Sequence, residues 1–152
     1  MPVAELIRAA LGDVIVLDTS ALLALLDGDD PDHRPCVAAL EGQGPPFLVP
    51  GAILGEVGYL IERKLGGELL SDFVEDLALG AFTLDCGDQD FKRIGELIRS
   101  YADLPLGPAD AGVIACAERS QRRALTLDRS DFRVVAREGT IELALDQLQR
   151  GG

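Results

Sequence analysis

The chain has 152 residues, 47% of them hydrophobic, with 26 acidic against 14 basic side chains and a formal net charge of −12. That length favours one domain, able to bury about 70% of its unfolded surface without disulfide staples. The acidic balance excludes broad electrostatic attraction to nucleic acid and suits a basic partner or bound cations.

Residues 2–11 read as a short helix, and residues 1–13 as an amino-terminal extension without an assigned role. Val14-Ile15-Val16-Leu17 is an apolar run with three β-branched members, the pattern of a strand covered on both faces. It ends on Asp18. Thr19 and Ser20 offer N-cap chemistry, and residues 21–26 are strong helix formers. The loop 27–32 is rich in aspartate but is no EF-hand, which needs Gly where Asp32 stands and Glu where Ala38 stands. A helix runs from about residue 31 to 41, and a second strand covers Phe47-Leu48-Val49.

Helices are expected over residues 52–64 and 69–79, broken by Gly66-Gly67. A third strand covers 81–84 and a further helix 88–100, with Phe91, Ile94, Leu97 and Ile98 as its apolar stripe. Pro108 opens a helix over 109–120. Ala124-Leu125-Thr126-Leu127 is a fourth strand ending on Asp128, and residues 132–135 read as a fifth. Residues 141–145 read as an edge strand or as part of a terminal helix. Strands alternating with helices predict an α/β fold, a three-layer α/β/α sandwich around a mostly parallel sheet of four to five strands.

The cysteines Cys36, Cys86 and Cys116 include no Cys-x-x-Cys pair, so neither a disulfide framework nor a zinc site is indicated. No apolar run reaches the ~18 residues of a membrane span, and a cytoplasmic protein without a membrane role is expected.

Four carboxylates stand where structure alone has little use for them. Asp18 and Asp128 each follow an apolar strand, the end at which open α/β sheets place their ligand crevice. Glu56 shares a helical face with Ile53 and Leu60. Asp110 shares one with Val113, Ile114 and Ala117, although an anion in a first helical turn also has a favourable dipole. Carboxylates gathered together repel and lose solvent, and a divalent cation is the natural compensation. An all-oxygen donor set suits magnesium, with manganese as a substitute, and a site of that kind is typical of phosphoryl chemistry.

The segments VIVLDTSALLALL at 14–26, ILGEVGYLIERKLG at 53–66, ADAGVIACAERS at 109–120 and ALTLDRSDF at 124–132 together resemble the PIN-domain nucleases, and among them the VapC-type toxins of bacterial type II toxin–antitoxin pairs. The resemblance places Asp18, Glu56, Asp110 and Asp128 on the family's acidic quartet, as catalytic and metal-binding residues. Asp18 and Asp110 would hold metal most directly. It puts Asp131 on a further acidic position, Thr126 on a nearby polar one, and Thr19 and Ser20 on the polar pair after the first aspartate. It implies a metal-dependent endoribonuclease that cuts structured RNA such as tRNA or ribosomal RNA, leaving 5′-phosphate and 3′-hydroxyl ends. It also implies a VapB-type antitoxin partner, a homodimer and a higher assembly with antitoxin. Basic residues are scarce for an RNA enzyme, and Arg122, Arg123 and Arg129 are the candidate RNA contacts. Two readings stay open beside the toxin: a housekeeping RNA-processing nuclease without an antitoxin, and a non-catalytic scaffold of the same fold.

Overall fold

The computed structural model describes residues 2, 3, 6, 14–121 and 123–146. The helix expected over 2–11 and the candidate contact Arg122 therefore lie largely or wholly outside the described residues.

In chain order the elements are β1 (Ile15–Leu17), α1 (Thr19–Leu26), α2 (His33–Glu41), β2 (Phe47–Pro50), a 3-10 turn (Gly51–Ile53) running into α3 (Leu54–Leu65), and α4 (Gly67–Leu79). There follow β3 (Thr83–Asp85), a second 3-10 turn (Asp88–Asp90) running into α5 (Phe91–Ser100), α6 (Pro108–Arg119), β4 (Arg123–Leu125), α7 (Arg129–Arg137) and β5 (Glu142–Leu143). The five strands form one sheet in the order β3-β2-β1-β4-β5, and every pairing is parallel. Strand β1 is buried along its whole length, as its unbroken apolar run requires.

The strand order is what positions the site. From β1 the chain winds outward to β2 and β3, then returns to the other side of β1 to lay down β4 and β5. The order reverses between β1 and β4, the topological switch point where such sheets open a crevice at the strands' carboxyl ends. The register pairs Val16 with Ala124 and Leu17 with Leu125, so the residues leaving the two strands emerge side by side.

Helix α6 is the central helix of the core. Ala111 through Ala117 are all buried, a helix apolar on every side because it lies among the sheet, α5 and the first 3-10 turn. Gly112 allows the closest of these approaches, since a Cβ there would lie 2.4 Å from the Cβ of Ala52. Gly66, at φ 99, ends α3 in backbone that L side chains rarely adopt. Arg119 closes the far end of α6 with a paired grip, its Nε and Nη2 on Asp90 at 2.9 Å and its Nη2 on Asp85 at 2.7 Å. Cys36 and Cys116 are buried and Cys86 is exposed.

The structure corrects three local expectations. Residues 132–135 are not a strand but the middle of α7, in which Phe132 and Val135 face inward at a spacing of three. A short apolar run has no period of its own, and here the flanking charges belong to the helix's outer face. Thr19 and Ser20 do not cap α1. Asp18 occupies the cap position, and the two hydroxyls lie inside the first turn. Glu56 is not on the core face of α3: Ile53, Val57 and Ile61 form the buried stripe, and Glu56 sits one residue to its side, exposed.

Candidate active site

Asp18, Thr19, Ser20, Leu23, Glu56, Leu60, Asp110 and Asp128 line one pocket of about 230 Å³. Strand β1 delivers Asp18, the first turn of α3 delivers Glu56, the first turn of α6 delivers Asp110, and the turn after β4 delivers Asp128. The four carboxylates that the sequence singles out therefore converge, although they are spread over most of the chain. Asp131, in the first turn of α7, joins them: carboxylate oxygens of Asp110, Asp128 and Asp131 all lie within 4.8 Å of one another.

Asp18 is the most deeply set, at 4% exposure. Burial pushes its carboxyl above the usual carboxylate range and the Glu56 charge adds to this, while hydrogen bonds from Thr126, the Thr19 backbone and Ser20 oppose it. The Thr126 hydroxyl donates to Asp18 Oδ2 at 2.8 Å, and the Ser20 hydroxyl donates to the same oxygen at 3.0 Å. The Thr19 hydroxyl donates to Glu56 Oε2 at 3.2 Å. Asp110 is half-buried, and burial together with repulsion from Asp18, Asp128, Glu56 and Asp131 pushes its carboxyl up to about 6.

Among the described residues no arginine, lysine or histidine forms an ion pair with any of the five acids. Among the described residues, hydroxyl donors serve Asp18, Glu56 and Asp128 of these carboxylates, and Asp110 and Asp131 are placed by the first turns of α6 and α7. The residues fit a hard divalent cation: all donors are oxygens, three of them are close enough to share one ion, and charge compensation is wanting.

The other basic candidates stand apart. Arg123 opens β4, at the end of the strand opposite the acids, and its guanidinium donates to Gln43. Arg129 follows Asp128 directly and lies 3.7 Å from Asp146. His33 donates through Nδ1–H to the Ala24 carbonyl, 2.8 Å away, and takes no part in the pocket. Two pocket residues were not singled out by the sequence, Leu23 and Leu60. Leu60 is one helical turn beyond Glu56 and Leu23 one turn beyond Thr19, so their spacing from the polar residues was the available signal.

A profile for the PIN domain matches residues 15–138. The chain is 32% identical over 120 residues to Ribonuclease VapC26 of Mycobacterium tuberculosis, an alignment covering 78% of this chain and 89% of that protein. Its fold is similar to that of M. tuberculosis VapC20, described as a sarcin–ricin loop cleaving toxin, with a TM-score of 0.66 at 20% identity over 80% of this chain and 94% of that one. It is similar to VapBC2 from Rickettsia felis, solved on a promoter DNA fragment, with a TM-score of 0.62 at 15% identity over 86% and 96% of the two chains. A toxin–antitoxin complex from Klebsiella pneumoniae matches with a TM-score of 0.59 at 24% identity over 78% and 89%.

Proposed function

Since this chain belongs to the PIN domain family and its curated relative is a VapC ribonuclease, we propose that it is a divalent-metal-dependent endoribonuclease, the toxin of a type II toxin–antitoxin pair. The observation that carries the proposal is the convergence of Asp18, Glu56, Asp110 and Asp128 on one pocket with no described cation paired to them. A phosphodiester cannot approach so many carboxylates unless a cation lies between. Asp110, Asp128 and Asp131, whose carboxylate oxygens lie within 4.8 Å of one another, are the residues we assign to hold it together with Asp18 of the same pocket, and Glu56 completes the acidic shell. Magnesium, or manganese in its place, neutralises phosphate oxygens and lowers the pKa of a bound water when present in such a site.

The chain's own residues do the rest. Buried Asp18 is held by two hydroxyls on Oδ2 and by the Thr19 backbone, so its carboxylate lines the pocket in a fixed orientation. Leu23 and Leu60 form apolar walls that fit a base or ribose next to the cut phosphate. The substrate class we assign is structured RNA, tRNA or ribosomal RNA; one relative is named a ribonuclease and a structural neighbour a sarcin–ricin loop cleaving toxin. The partner is a small VapB-type antitoxin. A net charge of −12 supports a basic segment reaching the acidic pocket, and several structural neighbours were solved as toxin–antitoxin assemblies. A homodimer that assembles further on antitoxin, acting in the cytoplasm where its RNA is, completes the proposal. No described helix is long and apolar enough to cross a membrane.

The test is induced expression in a bacterial host, parent against Asp18→Asn, with total RNA resolved for discrete fragments. It is paired with cleavage by purified protein in magnesium and in EDTA. Growth arrest and fragments from the parent alone, with cleavage lost in EDTA, are expected. Arrest by both proteins without fragments overturns the catalytic reading in favour of a binding scaffold.

A further inference from the structure

Two hydroxyls converge on one oxygen of Asp18, each also accepts a backbone N–H, and the longer contact between them is 3.4 Å. Ser20 Oγ donates to Oδ2 at 3.0 Å and accepts the Leu127 N–H at 3.0 Å. Thr126 Oγ1 donates to the same Oδ2 at 2.8 Å and accepts the Asp128 N–H at 3.0 Å. A hydroxyl has one proton. With a backbone N–H already directed at its lone pairs, that proton is left to the carboxylate. Thr126 is 2% exposed and Asp18 4%, so water does not compete for the Thr126 bond, whereas Ser20 is only part-buried. No described side chain donates to Asp18 Oδ1, and the remaining hydrogen bond to this carboxyl comes from the Thr19 backbone. Thr19 repeats the arrangement more loosely, donating to Oε2 of Glu56 at 3.2 Å.

We infer that Ser20 and Thr126 are positioning residues: by occupying Oδ2 they make Asp18 a ligand through Oδ1 alone, and so set the site for a small octahedral cation, magnesium or manganese, against calcium. The inference rests on the metal-dependent reading above. Calcium takes about six to eight oxygens and readily uses a carboxylate bidentately, whereas magnesium demands near-octahedral geometry and keeps several waters. Bidentate ligation by Asp18 would withdraw Oδ2 from both hydroxyls and leave the buried Thr126 donor unpaired, which is costly, with the part-buried Ser20 donor losing its partner as well. Single-oxygen ligation leaves the network untouched. Two of the four bonds, Thr126 to Asp18 and the Leu127 N–H to Ser20, join the end of β1 and the start of α1 to the turn after β4, and the Asp128 N–H on Thr126 ties Asp128 to that junction.

The experiment is calorimetric titration of the purified full chain with manganese chloride and, separately, calcium chloride. The parent is compared with Ser20→Ala, Thr126→Val and Thr126→Ser, each checked for its melting midpoint. The ratio of the calcium Kd to the manganese Kd is expected to fall about 10- to 100-fold in Thr126→Val, the loss usual for partners that orient a metal ligand. It should fall less in Ser20→Ala and return in Thr126→Ser, which keeps the hydroxyl. If Thr126→Val does not fold, Ser20→Ala and Thr126→Ser decide. An unchanged ratio in the folded variants that lack a hydroxyl overturns the inference. A parent that binds manganese and cuts RNA while the ratio stays fixed loses only the role of the hydroxyls. A parent that neither binds manganese nor cuts RNA loses the functional reading and this inference with it.

Discussion

Replacing Asp110 with asparagine is expected to stabilise the metal-free protein at neutral pH and to leave it unchanged in acid. In the fold the Asp110 carboxyl ionises at about 6, against an ordinary 3.8, because burial and four neighbouring carboxylates oppose its charge. Between those values the native chain holds more protons than the unfolded one. Stability therefore falls as pH rises through this window, and the penalty is complete above about pH 6. The interval is equivalent to about 3 kcal/mol, at about 1.4 kcal/mol per pH unit. Asp110 is only half-buried, and solvent screening reduces this to about 1–2 kcal/mol, a shift of a few degrees in melting midpoint for a chain of this size. Asparagine keeps the shape and removes the charge. The assay is urea unfolding of parent and Asp110→Asn in EDTA from about pH 4 to about pH 8. The gain of the variant should be absent near pH 4, grow through pH 5 and level off above pH 6. A difference that is constant across the range, or a variant less stable than the parent at neutral pH, refutes the argument that burial and repulsion oppose the charge of this carboxyl. Magnesium should then reverse the ranking, since a ligand at a hundred times its Kd stabilises the parent by about 2.7 kcal/mol.

Asp18→Asn should keep the fold and lose RNA cleavage by more than about 100-fold, a loss beyond that of an outer metal partner, measured on a structured RNA with magnesium in excess. Gly112→Ala should destabilise by about 1–3 kcal/mol through overpacking, because its Cβ would meet that of Ala52 at 2.4 Å. Thermal unfolding measures this, and an unchanged midpoint would mean that α6 and the 3-10 turn part easily. Arg119→Ala should cost about 2–3 kcal/mol, since it strips the partner from Asp90, which is 6% exposed. Arg119→Lys should recover only part of that, a lysine being unable to grip two carboxylates with a planar fork.

The sequence by itself picked out the carboxylates that meet at the pocket and the class of the fold. The apolar run at Val14–Leu17 had to be a covered strand, and a carboxylate at its end had to lie at a strand terminus. The same reasoning found Asp128 at the end of β4. Helix α6 was legible from its alanines, its Pro108 start and Asp110 in the first turn. What local pattern did not determine was which side of a short or marginal element faces inward. Residues 132–135 carry too few apolar positions to distinguish a period of two from one of 3.6, and only packing against the core made them helix. Glu56 lies beside the buried stripe of Ile53, Val57 and Ile61, and only tertiary contacts decided on which side of that border it fell. The same holds for Thr19 and Ser20, whose hydroxyls look like caps in sequence and serve two carboxylates in the fold. The convergence itself is tertiary. Thr126 reaches Asp18 across 108 positions of chain, and nothing local encodes that meeting. It follows from the parallel register of Val16 with Ala124 and Leu17 with Leu125, which brings two strand ends together at the one place where the sheet order reverses.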